Sequence, residues 1–433
     1  MRARAAQEET GMQPEGGAQG RGRLATFVRG AAGGLPPVYW YLWVGTFVNR
    51  LGGFVVPFLA FYLTRERGFS VAQAGLMASL HGAGAVLAAP LGGQLADRVG
   101  RRFTLVGGLW LGSLAMALLG FARSHVEIAV ATFTLGLLGE MYRPAVLAAI
   151  SDVVAPPERP RAFGLLYWVI NLGFAVAPPL AGWMAQRSYL LLFLADAATT
   201  FLYGLLVLLR VPETRPARGS EGTHAQGGLL TPLADPVFVA FGLPVLAVAF
   251  VFFQSHSALP LDLSARGASP QTFGSVLAVN GLLIVLVQPF ANRLVGRMRR
   301  SSALALSAAL TGLGFGMHAL NDSVVGARFA VAVWTLGEIA QAPVAPAVVS
   351  DLAPVHLRGS YQGAYHMLWG LAACAAPAAG GWALGHLGAL PLWGACLGIG
   401  VLSALVHLGI GPSRRRRLAQ LREQAREVST ALD

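Results

Sequence analysis

Long apolar stretches occur twelve times along the 433-residue chain, and each is long enough to cross a membrane. A transmembrane helix needs about 20 mostly apolar residues to cross a hydrocarbon core about 30 Å thick. The stretches lie at approximately 38–63, 71–96, 103–122, 126–152, 160–186, 189–209, 237–262, 270–294, 301–320, 324–351, 359–385 and 388–410. The sequence therefore predicts an all-α membrane protein with twelve transmembrane helices.

The chain as a whole is too poor in charge for a soluble protein. Only 12% of its residues are charged and 55% are hydrophobic, whereas soluble domains carry about 25% charged residues. Residues 1–36 differ, because they are rich in Gly, Gln, Glu and Arg and lack an apolar core. This composition predicts a disordered cytoplasmic tail and not a cleaved signal peptide.

All 32 basic residues are arginine, and their positions predict the orientation of the chain. With the N-terminus placed inside, 24 of them fall in the tails and the even-numbered loops, whereas six fall in the odd-numbered loops. Cytoplasmic segments of membrane proteins carry such an excess. We therefore expect a multi-pass protein of the cell membrane (a bacterial inner membrane) with both termini in the cytoplasm. The run Arg414–Arg417 is interpreted as an anchor to anionic lipid and not as a nucleic-acid site.

The second half of the chain repeats the first at a constant offset of 199 residues. The matched pairs are Gly75/Gly274, Gly82/Gly281, Pro90/Pro289, Arg98/Arg297, Pro144/Pro343, Ser151/Ser350, Asp152/Asp351, Gly164/Gly363, Pro178/Pro377, Gly182/Gly381 and Trp183/Trp382. Because each repeat has six helices, both copies enter the membrane from the same side. We predict two pseudo-symmetric six-helix bundles at 37–209 and 237–410, a cytoplasmic linker at 210–236 and a basic cytoplasmic tail at 411–433.

The segment GGQLADRVGRR, from Gly92 to Arg102, lies between the second and third helices. It resembles the signature loop of the major facilitator superfamily of transporters. The resemblance implies a substrate site between the two bundles and transport by alternating access. It also implies a conformational latch between the halves, whose candidate residues are Gly93, Asp97, Arg98, Arg101, Arg102 and Asp152.

Within this latch, Asp152 is expected to pair with Arg98 or Arg102. The second copy of the loop has Gly296 where the first has Asp97, so a weaker latch is expected there. The alternative is that these arginines only mark the cytoplasmic side and that Asp97 ends a helix.

The fifth helix contains small residues and proline at Gly164, Gly173, Pro178 and Gly182. This spacing resembles the antiporter motif of the superfamily, although Ala177 and Ala181 stand where that motif has glycine. The resemblance is closest to bacterial drug:proton antiporter-like exporters. Small residues also occur at helix contacts in any membrane bundle, so packing alone is the alternative interpretation.

Four ionisable residues lie near the middle of apolar stretches: Arg50, Glu140, Arg143 and Glu338. A charge at mid-membrane costs at least about 2.5–3.5 kcal/mol on insertion scales, so it is retained where it faces a partner or a wet cavity. All four fall on helices 1, 4 and 10, which line the cavity in the family that the chain resembles, as helix 7 also does.

We interpret Glu140, with Arg143 three residues later, and Glu338 as proton-coupling residues. The alternative for Glu140 and Arg143 is a static ion pair that only orients the fourth helix. Candidate substrate contacts are Arg50, Asn49, Gln254, His256 and Asn280.

These features predict proton-coupled efflux of small amphipathic compounds. The alternative is proton-coupled uptake of a nutrient such as a sugar, peptide or organic acid. A membrane enzyme is disfavoured because the sequence has neither a nucleotide motif nor a catalytic cluster, and no cofactor or metal is expected. The expected partners are a small-molecule substrate, protons and lipid, and a monomer is expected because one chain supplies a complete pathway.

Overall fold

The computed structural model describes residues 33–53, 55–215, 231–320, 323–354 and 357–430. In this part of the chain, twelve helices are long and apolar enough to cross a membrane, and they agree with the predicted spans to within a few residues. Most of the predicted tail at 1–36 and most of the predicted linker at 210–236 lie outside the described residues.

The twelve helices are numbered α1–α12, and a further helix, α13, follows them. Their bounds are α1, Pro37–Gly52 and Val55–Arg65; α2, Val71–Arg98; α3, Arg101–Phe121; α4, His125–Glu140 and Tyr142–Val153; α5, Arg159–Ala185; α6, Tyr189–Arg210; α7, Pro236–Phe252 and Ala258–Ala265; α8, Pro270–Gly296; α9, Arg300–Gly316; α10, Val324–Gln341 and Val344–Leu352; α11, Arg358–His386; α12, Ala389–Gly409; and α13, Gly411–Thr430.

Serine side chains begin the even-numbered helices from α2 to α10. Each accepts a hydrogen bond from a backbone N–H in the first turn, and the serines are Ser70, Ser124, Ser188, Ser269 and Ser323. The first N–H groups of a helix have no partner within the helix, so these caps fix where the apolar helices start. The caps all lie at one end of the molecule, which we call the sealed end.

Four helices, α1, α4, α7 and α10, are interrupted near their middle. The interruptions in α4 and α10 precede Pro144 and Pro343, which are matched residues of the internal repeat. Proline lacks the N–H that would continue the helical hydrogen bonds. The breaks therefore repeat in both halves and fall on the helices expected to line the cavity, where interrupted backbone is tolerated in membrane proteins.

The two bundles touch mainly along two helix pairs, α2 with α11 and α5 with α8, and the second segments of α1 and α7 make a smaller contact. Glycines allow the backbones to come close there. A Cβ atom at Gly82 would overlap the carbonyl oxygen of Ala373, and one at Gly274 would overlap that of Pro178. These contacts belong to the sealed-end parts of the helices, so the halves are packed together at that end.

The hydrophobic core also differs between the two ends of the molecule. One cluster at the sealed end contains residues of both halves, among them Phe58 of α1 and Phe273 of α8, whose ring centroids are 5.3 Å apart. At the other end, which we call the open end, one cluster contains only N-terminal residues and another only C-terminal residues. The halves therefore form one body at the sealed end and separate bodies at the open end.

Candidate substrate cavity and coupling residues

The break in α4 places an acid and a base at mid-helix. Glu140 ends the first segment of α4, and Arg143 lies in the first turn of the second. The Nε atom of Arg143 is 2.6 Å from Oε2 of Glu140, and the two side chains are 48% and 21% exposed. The predicted pairing is therefore present, and the pair is accessible from one side.

Arg50 of α1 is the third charged group of this cluster, and it has no salt bridge to any described residue. Its Nε atom is buried and lacks a hydrogen-bond partner in the structure. Both Arg143 and Glu140 lie close enough to act electrostatically on Arg50. Asp196 of α6 also acts electrostatically on Arg50, so this half-buried cation has two acids within range but forms a salt bridge with neither among the described residues.

Glu338 of α10 has a different environment. Its Oε2 atom accepts a hydrogen bond of 2.7 Å from Nδ2 of Asn280, on α8. The same amide nitrogen donates to Oγ1 of Thr335 at 3.1 Å. Tyr167, on α5 of the other half, lies within electrostatic range of Glu338. Glu338 therefore points toward the space between the halves and is held by a neutral amide.

Two predicted substrate contacts, Asn49 and Gln254, form hydrogen bonds within their own bundle. Asn49 is buried, donates to Thr200 at 2.9 Å and accepts from the hydroxyl of Tyr142 at 2.9 Å. Gln254 is fully buried and donates to the carbonyl oxygen of Ala376 at 3.1 Å. Both side chains join helices of one bundle in this conformation.

His256 lies at the break of α7, beside aromatic rings. Its Nδ1 atom is 2.8 Å from the hydroxyl oxygen of Ser255, and its ring contacts those of Phe252 and Phe253. His256 also lies within electrostatic range of His81 on α2, which in turn is within range of Glu140. The charged cluster of the N-terminal half thus extends across to α7.

The latch residues form their contacts around Arg101, not Arg98 or Arg102 as predicted. The Nε atom of Arg101 is 3.1 Å from Oδ2 of Asp152, and Nη1 contacts Asp97. The guanidinium of Arg102 instead donates to the carbonyl oxygen of Leu208, at the end of α6. The predicted partner was wrong because the first turn of α3 directs Arg101 toward α4 and Arg102 toward α6.

Two glycines of the predicted motifs differ from expectation. A Cβ atom at Gly93 or at Gly164 would meet nothing within 4 Å, so neither glycine is required by a close contact in this conformation. In contrast, Gly173 packs against the Cβ atom of Arg50, and Gly182 packs against the backbone of α8 at Gln271. The packing part of the α5 motif is therefore its later portion, where Pro178 also touches α8.

Glu213, just after α6, is a structural residue that sequence reasoning missed. Its carboxylate accepts hydrogen bonds from the backbone N–H groups of Arg101 at 2.8 Å and Arg102 at 3.2 Å, and thus caps α3. Burial acts to raise the pKa of Glu213, but N–H donors, including that of Arg215, outweigh it and lower the pKa.

Comparisons with known proteins agree with this architecture. The family model of the Major Facilitator Superfamily matches residues 42–265 and 255–432. A "Na(+), Li(+), K(+)/H(+) antiporter" of Planococcus maritimus is 30% identical over 365 residues, which cover 76% of this chain and 85% of that protein. "Multidrug resistance protein MdtH" of Aeromonas salmonicida is 24% identical, covering 75% of this chain and 82% of the relative.

Among solved structures, a "peptide transporter POT in complex with sulfate" has a similar fold. The TM-score is 0.73 at 19% identity, with 89% of this chain and 96% of that chain covered. At this identity the likeness concerns the fold alone. Together with the family match and the twelve apolar helices, it identifies the chain as a multi-pass membrane transporter that belongs to the Major Facilitator Superfamily.

Proposed function

We propose that this transporter is a proton-coupled antiporter that exports small cationic compounds, with Glu338 as the group that binds either a proton or the cation. The observation that carries the proposal is the pairing of Glu338 with the amide of Asn280 at 2.7 Å. A carboxylate held by an amide can exchange that partner for a proton or a cation without breaking an ion pair.

Competition for one carboxylate is sufficient for exchange. When a cation occupies Glu338, the proton is displaced, and when a proton occupies it, the cation leaves. If the halves change conformation only with the site occupied, each cycle moves one occupant in each direction. The open end, where the two hydrophobic clusters are separate, would then be the cytoplasmic loading side.

Glu140, Arg143 and Arg50 are assigned a second role, that of a responsive ion-pair cluster. Glu140 is paired with Arg143, and Arg50 is nearby without a bound carboxylate. A change in the distance between α1 and α4 would let Glu140 pass from Arg143 to Arg50. Partner exchange of this kind would link the state of the N-terminal half to the conformation of the transporter.

The substrate class is drawn from the chemistry of the site. Beside His256, the rings of Phe252, Phe253 and Trp369 lie 5.7–6.1 Å apart in edge-to-face contacts. Aromatic faces attract organic cations as well as apolar groups. Phe252 also contacts Trp334, which lies one helical turn before Glu338. A site that combines these rings with the carboxylate would suit a lipophilic amine, and the carboxylate alone would suit a monovalent metal ion, the cargo named for the relative from Planococcus maritimus.

The exporter is proposed to act as a monomer in the bacterial inner membrane with both termini in the cytoplasm. Everted membrane vesicles that contain the protein and a respiration-driven, acidic-inside proton gradient test the exchange. Adding Na⁺, Li⁺, K⁺ or tetraphenylphosphonium should dissipate the gradient, as followed by a pH-sensitive dye. Glu338→Gln should abolish the response, whereas Glu158→Gln, a change at an exposed acid of the open end, should preserve it.

If none of the cations dissipates the gradient in vesicles that contain the wild-type protein, the antiport proposal is wrong. A response that survives Glu338→Gln would preserve antiport but refute the role of Glu338.

Uptake of an anionic nutrient is the second candidate, favoured by Arg50. Its buried guanidinium, without a carboxylate partner among the described residues, could bind the carboxylate of an organic acid or peptide. Direction distinguishes the two functions: an importer accumulates its substrate in intact cells, whereas an exporter lowers the cellular content. Accumulation that depends on Arg50 would support uptake.

A further inference from the structure

A cavity of about 630 Å³ lies at the open end of the C-terminal half, where α9, α10 and α13 meet. It is separate from the residues assigned to transport. Arginines contribute most of its polar wall: Arg299, Arg300, Arg414 and Arg415. Asp351 is the acidic residue of the wall, and it is already paired with Arg300.

The backbone adds to this positive potential. The helix α9, which begins at Arg300, starts at the cavity, and no described side chain caps its first turn. Helix N-termini carry unpaired N–H groups and a partial positive charge. One helix N-terminus and four arginines therefore converge where the wall supplies one carboxylate.

Arg414 is the buried member of this arginine group, and its guanidinium lies over the ring of Phe241. The residue is only 6% exposed. Its Nη2 atom donates to Ser301 at 2.8 Å and to the carbonyl oxygen of His407 at 3.0 Å, but Nη1 is buried without a hydrogen-bond partner. Burial, and then the charges of Arg300 and Arg415, lower the pKa of Arg414 to about 10, so it is still charged at neutral pH.

In the N-terminal half, a carboxylate occupies the equivalent position, at the start of α3. There the carboxylate of Glu213 caps α3, the repeat mate of α9. At the offset of 199 residues, the mate of Glu213 is Pro412, which has no acidic group. The chain that follows brings Arg414 and Arg415 to the cavity instead. The first repeat thus places a carboxylate of the chain at the start of α3, whereas the second repeat leaves the start of α9 to an anion from outside the chain.

We propose that this cavity binds the phosphate group of an anionic membrane lipid. Phosphate accepts several hydrogen bonds from guanidinium and backbone N–H groups at once. The cavity lies where the apolar helix α9 begins and α10 ends, the depth at which lipid head groups would lie. Val348, Leu352 and Leu418 complete the wall, and they would contact the glycerol and the start of the acyl chains.

The test uses the full-length protein in a non-ionic detergent. Short-chain phosphatidylglycerol, phosphatidylcholine with the same acyl chains, and inorganic phosphate are titrated separately, and binding is measured by calorimetry. We expect binding of phosphatidylglycerol in preference to phosphatidylcholine. Arg299→Gln and Arg415→Gln should each weaken it by about tenfold, because each removes a charged hydrogen bond.

Arg416→Gln is the matched control, because Arg416 is an exposed arginine of α13 that does not line the cavity. Binding should be unchanged in this variant, and the arginine variants should keep the wild-type unfolding temperature without lipid. Three results would overturn the proposal: no preference for phosphatidylglycerol, equal weakening by Arg416→Gln, or tighter binding of inorganic phosphate than of the lipid.

Discussion

The two halves of the transporter share their helix breaks but differ in how their charges are balanced. In the N-terminal half, Glu140 pairs with Arg143, and Glu213 caps α3. In the C-terminal half, Glu338 is held by the amide of Asn280, and the start of α9 opens into a cavity lined by arginines. At these two places the N-terminal half supplies its own counter-charges, whereas the C-terminal half would offer an acid and a basic cavity to outside partners.

This difference is informative because the two halves are built on the same repeat. The latch ion pair is kept in both, as Arg101 with Asp152 and as its repeat mate Arg300 with Asp351. The mid-membrane acids are not kept in register: Glu338 lies one position before the mate of Glu140, which turns it by about 100° around the helix. Shared features therefore hold the scaffold, and diverged charges mark where protons, substrate and lipid would act.

The largest effect is expected from Glu338. Glu338→Gln should reduce proton-coupled cation exchange in vesicles to background, because the amide cannot alternate between a proton and a cation. Glu338→Asp should retain part of the rate, since it keeps the carboxylate. If the coupling between proton and cation is worth about 1–3 kcal/mol, the effect of bound cation on proton affinity is roughly 5–150-fold.

Glu140→Gln should have the next largest effect, and it should lower stability as well as transport. Glu140→Gln leaves Arg143 without its paired carboxylate, and Asp196 remains as the acid within electrostatic range of Arg50. Because the Arg143 side chain is 48% exposed, the decrease in the free energy of unfolding should be well below the ~3–5 kcal/mol that breaking a buried ion pair costs. Thermal unfolding in detergent measures it.

The double variant Glu140→Gln/Arg143→Gln separates the effect on stability from the effect on transport. It removes one charge of each sign and should recover most of the lost stability. A double variant as unstable as the single one would mean that Arg143 is not the partner that matters. Full transport in the double variant would show that the ion pair is static.

A third comparison concerns the two asparagines. Asn49→Ala should lower stability by about 1–3 kcal/mol, because it leaves the buried Thr200 and Tyr142 hydroxyls without their partner. Asn280→Ala should instead lower proton-coupled exchange more than stability, because it removes the donor to Glu338. Unfolding curves and exchange rates on both variants check this, and the reverse pattern would contradict it.

The smallest effect is expected at the Glu213 cap. Glu213→Ala should lower the free energy of unfolding by less than about 1 kcal/mol at neutral pH, since the carboxylate is exposed. Its lowered folded-state pKa means that the contribution is present above the ordinary glutamate pKa and is lost as pH falls through the folded value.

The wild-type protein and the Glu213→Ala variant should therefore become equally stable in acid. Glu423→Ala, at an exposed glutamate of α13, is the control. A stability difference between wild type and Glu213→Ala that does not change with pH would show that the cap does not depend on charge.

The sequence was sufficient for the helices, because hydropathy over 20 residues is a local property. It was insufficient for side-chain direction. Asn49 lies next to Arg50 and was assigned the same role, yet one residue turns a helix by about 100°, and Asn49 faces α4 and α6 instead. The cap at Glu213 joins residues more than a hundred positions apart, and no local pattern reports such a contact.

Proton release on cation binding tests the central claim most directly. Purified protein in a weakly buffered solution, at a pH where it exchanges cations in vesicles, is mixed with Na⁺, Li⁺, K⁺ or tetraphenylphosphonium while a soluble pH dye is monitored. Competition at Glu338 predicts proton release by the wild type and by the Glu140→Gln/Arg143→Gln variant, and none by Glu338→Gln. Undiminished release by Glu338→Gln would contradict the account.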